Sequence, residues 1–292
     1  LLQQGKLAAA AAFLSANADA LGDKALSTRA KSLLAAAVSA SDNPLAECVV
    51  SAALAAGAER PMTRDTVALS WISIAEKGQQ HDAFLTRVAA ALDAGCQESR
   101  VASAFGSGFY KVMMVRDPAF QTRCLELGER LAAADDLSDG QRQSLTLMQL
   151  DGAFYASDFA RAYAIIESGV PGHDDVWHVE MKDKVGAHLA LQEGRPEDAI
   201  GLFKKHMARV DAWEAPVVNP ENGAKMTRQA VLGFNENRIG DIYAGMDGRA
   251  ADASAAYARA RDWYQKAIAD AEPDSIESKL AADELAQIPA GE

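Results

Sequence analysis

The 292-residue chain lacks most of the features that announce a catalyst or a membrane protein. Cysteine is scarce, with Cys48, Cys96 and Cys124 only. Their odd number and wide spacing disfavour a disulfide framework or a thiolate metal site, so they read as small buried hydrophobes in a reducing compartment. Positive charge is in deficit, 29 Lys and Arg against 41 Asp and Glu, for a net charge of -12. A phosphate backbone needs a cationic face, which disfavours nucleic acid as a partner. The longest apolar stretches, such as Val49 to Gly57, reach about half of the roughly 20 residues of a membrane-spanning helix. No sustained apolar/polar alternation rich in Val, Ile, Thr and aromatics is present, and no Asn-Gly step separates two such runs. Nucleophile elbows of the form Gly-x-Ser-x-Gly, His-Glu-x-x-His pairs and Cys residues with a nearby His are all missing. No catalytic residue, metal or cofactor is therefore assigned.

What is abundant is alanine, about a fifth of the residues, with Gly and Pro falling mostly between apolar stretches. That composition suits many short, closely packed helices. The pattern predicts fourteen of them, at 6–20, 24–40, 45–57, 63–77, 81–94, 98–116, 118–134, 138–156, 158–169, 174–193, 196–214, 223–246, 249–271 and 274–287. The last, within 273–288, opens at Pro273-Asp274-Ser275 and reads as a polar cap.

Two stretches repeat one another: Gly194-Arg195-Pro196-Glu197-Asp198-Ala199 with Phe203, and Gly248-Arg249-Ala250-Ala251-Asp252-Ala253 with Tyr257. A Gly closes one helix, a small Ala follows where the next helix crosses its partner, and an aromatic lies one turn on. Weaker copies occur at Gly5/Ala10/Leu14, Ser41/Ala46/Val50 and Ser157/Ala162/Ile166, with partial ones at Gly78/Ala83 and Ala119. The marker alanines 10, 46, 83, 119, 162, 199 and 253 are spaced by 36, 37, 36, 43, 37 and 54 residues. The long last interval contains an irregular insertion, Glu214 to Gly223, bordered by Trp213 and holding Pro216 and Pro220. Insertions in helical arrays commonly emerge on the binding face.

The unit resembles a tetratricopeptide repeat. Ala187, Gly194, Ala199 and Phe203 match its helix-turn-helix pattern without a gap, and Ile239, Gly240 and Tyr243 resemble the signature of its first helix. The resemblance is specific over about 138–271 and loose elsewhere. It implies an all-α, right-handed solenoid of about seven helical hairpins spanning 1–292, with a concave groove lined chiefly by the first helix of each hairpin. The family's groove positions fall on Met181, Lys184, His188 and Gln192, on Asp151 and Tyr155 of the preceding unit, and on Asn235 and Arg238 of the next. The implied partner is a protein or peptide, and the implied function is an interaction scaffold rather than an enzyme. A second expectation is a ligand- or peptide-sensing arm of an effector domain, because the array begins in mid-repeat and reads as part of a longer chain. The same truncated start makes self-association an expectation. Localisation is expected to be cytoplasmic, or periplasmic or exported if an upstream signal peptide is removed before Leu1.

Two clusters invite sharper readings and are explained more simply. His173-Asp174-Asp175-Val176-Trp177-His178 is rich in metal-ligating types, but histidines five apart do not share a helix face, and acids there suit an N-terminus. Phe105-Gly106-Ser107-Gly108-Phe109-Tyr110 lacks the strand and the Lys-Ser/Thr ending of a phosphate loop, so its glycines predict close helix packing.

Overall fold

The structure is a computed structural model that describes residues 1, 5–213, 217–218 and 225–289. Among these residues it is built almost wholly of helices: α1 (Leu7–Ala16), α2 (Asp23–Ser39), α3 (Asn43–Ala55), α4 (Pro61–Lys77), α5 (His81–Asp93), α6 (Glu98–Met113), α7 (Pro118–Ala132), α8 (Asp139–Tyr155), α9 (Phe159–Ser168), α10 (Asp175–Gln192), α11 (Pro196–Val210), α12 (Arg228–Ala244), α13 (Ala250–Asp270) and α14 (Ile276–Gln287). All fourteen expected helices are present, with ends shifted by a few residues. One two-residue ladder accompanies the helices, Val217–Val218 pairing antiparallel with Lys225–Met226. No helix among the described residues is long and apolar enough to cross a membrane. The chain divides into two compact units, 1–172 and 173–292.

In the first unit the helices pack as hairpins, α2 with α3, α4 with α5, α6 with α7 and α8 with α9, while α2, α4, α6 and α8 also lie against one another in order. Each hairpin turn contains one residue in the left-handed region: Ser41, Gln79, Arg116 and Ser157, with φ between 53° and 58°. That conformation lets the next N–H reach back to the helix end, as Asp42 does to the Ala37 carbonyl (2.9 Å), Gln80 to Ala75 (2.9 Å) and Asp158 to Ala153 (2.8 Å). Five residues beyond each left-handed position stands a buried side chain: Ala46, Phe84, Gln121 and Ala162. The marker alanines at 83 and 119 are therefore out of register by one and two residues. The structural equivalents are the large Phe84 and the polar Gln121, whose amide donates to the Met113 carbonyl (3.1 Å).

A bulky residue at the small position is accommodated by a glycine on the next helix. A Cβ on Gly108 would come within 2.5 Å of the Phe84 ring, so α6 can approach α5 only as glycine. Phe84 stacks on Phe105 (centroids 6.3 Å apart), and Phe105 meets Phe109 edge-on (5.6 Å). Close packing is thus what Phe105–Tyr110 serves. The cysteine expectation holds for Cys96 and Cys124, whose thiols burial pushes up to about 11 and about 12. It fails for Cys48, which is exposed because α3 buries Ala46, Val49, Val50 and Ala53, a stripe that leaves position 48 outward.

Two helix starts that lack caps of their own borrow them. The Asp23 carboxylate of α2 accepts from the Met62 and Thr63 N–H groups at the start of α4 (2.8 and 2.9 Å). At the start of α6, Gln97 N–H donates to Asp65 of α4 (3.4 Å), and Ser99 N–H donates to Asp136 (3.1 Å). N–H groups of the first helical turn have no acceptor within their own helix, and these carboxylates also hold the N-terminal ends of α2, α4 and α6 in register.

The second unit has two hairpins, α10–α11 and α12–α13, followed by α14. Its two hairpin turns hold left-handed Gly194 and Gly248, and five residues on stand the buried Ala199 and Ala253. Here too aromatics fit against glycines. A Cβ on Gly240 would meet the Tyr257 ring at 2.6 Å, and one on Gly233 the Tyr264 ring at 3.0 Å. On α14, capped by Ser275, Ala281 is buried while Ile276 and Leu280 are 52% and 51% exposed, so the terminal helix is less polar than a cap is expected to be.

Candidate functional site

A depression with a volume of about 420 Å³ lies along α4 in the first unit, between α2 and α6. Its origin is the helical period of α4. Val67, Ala68, Ile72 and Ala75 point into the core, which turns Thr66, Ser70, Ser73 and Lys77 onto the neighbouring face at the i, i+4, i+7, i+11 spacing of one stripe. The fully buried Leu34 of α2 and the half-buried Leu69 and Ile74 of α4 form an apolar floor. Lys31 and the exposed Ala35 border it from α2, and Arg100 from α6.

The electrostatics of this cleft run against those of the chain. Arg100 lies 3.6 Å from Asp65, a carboxylate 5% exposed that also holds Arg64 at 2.8 Å, so two guanidiniums share one buried acid. Glu76, beside Lys77, is paired with Lys111. Lys31 and Lys77 have no ion pair, and Ser73 no side-chain hydrogen bond, among the described residues. The Ser70 hydroxyl donates to the Thr66 carbonyl (2.7 Å). An apolar floor ringed by uncompensated ammonium groups and a free hydroxyl can hold an apolar side chain and hydrogen-bond or pair with anionic groups around it.

None of these residues was singled out from sequence. The sequence places the groove instead on eight residues, which the structure distributes as follows. In the first unit Asp151 accepts from the Tyr110 hydroxyl (2.8 Å), and Tyr155 is 42% exposed. In the second unit Met181, Lys184 and His188 are half-buried on α10, and Gln192 is exposed. Arg238 is exposed, with Asp241 at 3.4 Å and the Phe234 ring at 5.1 Å. Asn235 is a correction: at 1% exposure it cannot line a groove. Its amide donates to the Val231 carbonyl (2.9 Å) and reaches His206 Nδ1 (3.1 Å), because position 235 falls on the inward stripe of α12 with Val231, Leu232 and Ile239.

Four of the named residues nevertheless gather around one polar core. Buried His206 receives Asn235 on Nδ1 and turns Nε2 to Glu180 (3.6 Å), and the Trp213 indole donates to the other Glu180 oxygen (3.1 Å). The Asn235 amide donates to Nδ1, which leaves Nε2 facing the carboxylate. Burial raises the Glu180 pKa, but His206, Trp213 and Lys184 outweigh it and the net shift is downward. The His188 ring meets Phe203 edge-on (5.3 Å), and burial together with Lys184, Arg238 and His206 pushes its pKa down to about 4. Arg209 pairs with the nearly buried Asp183 (2.8 Å). This network anchors Trp213, at the border of the insertion, to α10 and α12. Pro216 and Pro220 lie outside the described residues.

The histidines of the 173–178 segment take separate roles. His173 stacks on Trp177 (3.9 Å), whereas His178 Nδ1 faces the Asp174 carbonyl (2.7 Å) and the Asp174 side chain caps the Trp177 N–H (2.8 Å). The missed residues Lys31, Thr66, Ser70, Ser73, Lys77 and Arg100 had one legible signal, a hydroxyl-and-Lys stripe beside the apolar stripe of α4. A scan against protein-family models finds no match, and no curated protein is significantly similar to the chain.

Proposed function

We propose that this chain is a tetratricopeptide-like solenoid of about seven helical hairpins that serves as a scaffold for protein or peptide partners. The observation that carries the reading is the cleft along α4, open to solvent and lined by the first helices of three successive hairpins. A left-handed residue at each of six hairpin turns, followed five positions later by a buried side chain, supports the array. Within such an array each hairpin leaves its first helix facing a shared groove, and a groove with an apolar floor and polar rim suits a bound chain segment.

A peptide-display selection on the immobilised protein tests this reading. Enriched peptides are expected to lose at least tenfold in affinity against Ala35→Trp, which fills the cleft from an exposed position and leaves the thermal midpoint unchanged. Selection that enriches nothing, or peptides that bind Ala35→Trp undiminished, would remove the support.

A further inference from the structure

The occupant of the cleft can be specified by its charges. We infer that the site takes an acidic peptide segment in extended conformation, its carboxylates meeting Arg100, Lys31 and Lys77 while one apolar side chain between them enters the floor. The inference rests on the peptide-binding reading above and names the chemistry of its ligand.

The helix register places the three cations at successive levels along the cleft. Asp65 of α4 accepts from Gln97 at the start of α6 and lies 3.6 Å from Arg100, which sets Arg100 at the N-terminal end of the α4 stripe. Asp23, the first residue of α2, caps Met62 and Thr63 of α4, so Lys31, eight residues further along a neighbouring helix, stands level with about Ser70. Lys77 closes the C-terminal end of α4. At about 1.5 Å per helical residue these levels lie about 8 and about 10 Å apart along the α4 axis. A strand advances about 3.3 Å per residue and turns alternate side chains to one face, so carboxylates at positions i, i+2 and i+6 of an extended peptide face the cleft together and span these levels, with position i+4 on the same face between them. The floor of Leu34, Leu69 and Ile74 lies between these cations and calls for an apolar side chain there.

Charge bookkeeping favours an anion despite the chain's net charge of -12. Asp65 is shared by Arg64 and Arg100, and Glu76 is engaged by Lys111, so no acid beside the cleft is left to neutralise Lys31 or Lys77. At physiological ionic strength fields decay over about 8 Å, so these nearby cations outweigh acids elsewhere on the surface.

The test uses fluorescein-labelled heptapeptides with Glu at positions 1, 3 and 7, Leu at position 5 and Ser elsewhere, followed by anisotropy in 50 mM salt. The Glu peptide is expected to bind the intact chain at least tenfold more tightly than the same peptide with Gln. The double variant Lys31→Glu/Lys77→Glu, altered only at exposed positions, is expected to lose that advantage while circular dichroism is unchanged. Three results would overturn the inference: equal binding of the Gln peptide, a phosphoserine peptide bound more than tenfold tighter than the Glu peptide, or no binding of any heptapeptide. Equal Glu and Gln binding that Ala35→Trp abolishes overturns the acidic specificity alone and leaves the peptide-binding reading standing. Absence of heptapeptide binding together with a failed display selection removes both.

Discussion

The α5–α6 contact of the first unit and the α12–α13 contact of the second solve one packing problem with the same pair of residue types differently placed. In both, an aromatic ring occupies the space of an absent Cβ: Phe84 over Gly108, and Tyr257 over Gly240. In the second unit the two partners belong to one hairpin, so the glycine and the aromatic fall within a single repeat. In the first unit they belong to successive hairpins, and the aromatic takes the position that Ala199 and Ala253 hold elsewhere. The same closeness of backbones thus arises from a local signature in one case and from a contact between repeats in the other.

The comparison can be broken most severely at Gly108. Gly108→Val places branched carbon where Phe84 sits and is expected to lower unfolding free energy by about 3 kcal/mol, the upper range for overpacking. Chemical denaturation followed by Trp71, the one tryptophan of the first unit, measures it. Combining it with Phe84→Ala should cost less than the two single changes added together, since each relieves the other. Strict additivity would show that the two residues do not share the space.

A difference in pH response sharpens the contrast next. His188 has a folded pKa of about 4 against an ordinary value near 6.5, so between these values the unfolded chain binds more protons. Its contribution to the second unit is complete above about pH 6.5 and is lost as pH falls toward 4. Glu180, also lowered, adds a loss in the same direction below its ordinary value of 4.5. Hydrogen exchange resolved by segment is expected to show α10–α12 losing protection across this window, and His188→Phe, which keeps a ring against Phe203, to flatten the upper part of the slope. An unchanged slope in that variant would move the effect to other groups.

The smallest expected effects lie in the turns. Gly194→Ala forces an L side chain into φ 73° and should cost about 1 kcal/mol, whereas Arg116→Gly, at φ 58°, should gain about 0.5 kcal/mol or less once the entropy of glycine in the unfolded chain is counted. Thermal midpoints of the two variants should move in opposite directions.

These turns also explain what could be read without coordinates. Where the left-handed residue is Gly194 or Gly248, the repeat was legible, since glycine is the residue that conformation favours. Where it is Ser41, Gln79, Arg116 or Ser157, the conformation is held by packing and by the returning N–H bonds, and nothing in the residue type announces it. The register slip at Ala83 and Ala119 follows directly. Asn235 was misplaced for a related reason: on a helix an inward polar residue cannot be told from a groove residue until its partner, here His206 from another helix, is known.

By itself the sequence determined that the described residues are helical and nearly where each of their helices lies, because apolar periodicity, caps and turn glycines act over a few neighbouring residues. Tertiary structure alone decided which side chains meet across helices. Phe84 finds Gly108, Asp23 caps α4, and Lys31, Lys77 and Arg100, up to 69 residues apart in sequence, come to border one cleft. Such pairings depend on the register between helices, which is set by packing volume and by the need of buried N–H groups and charges for partners, and no local pattern encodes it.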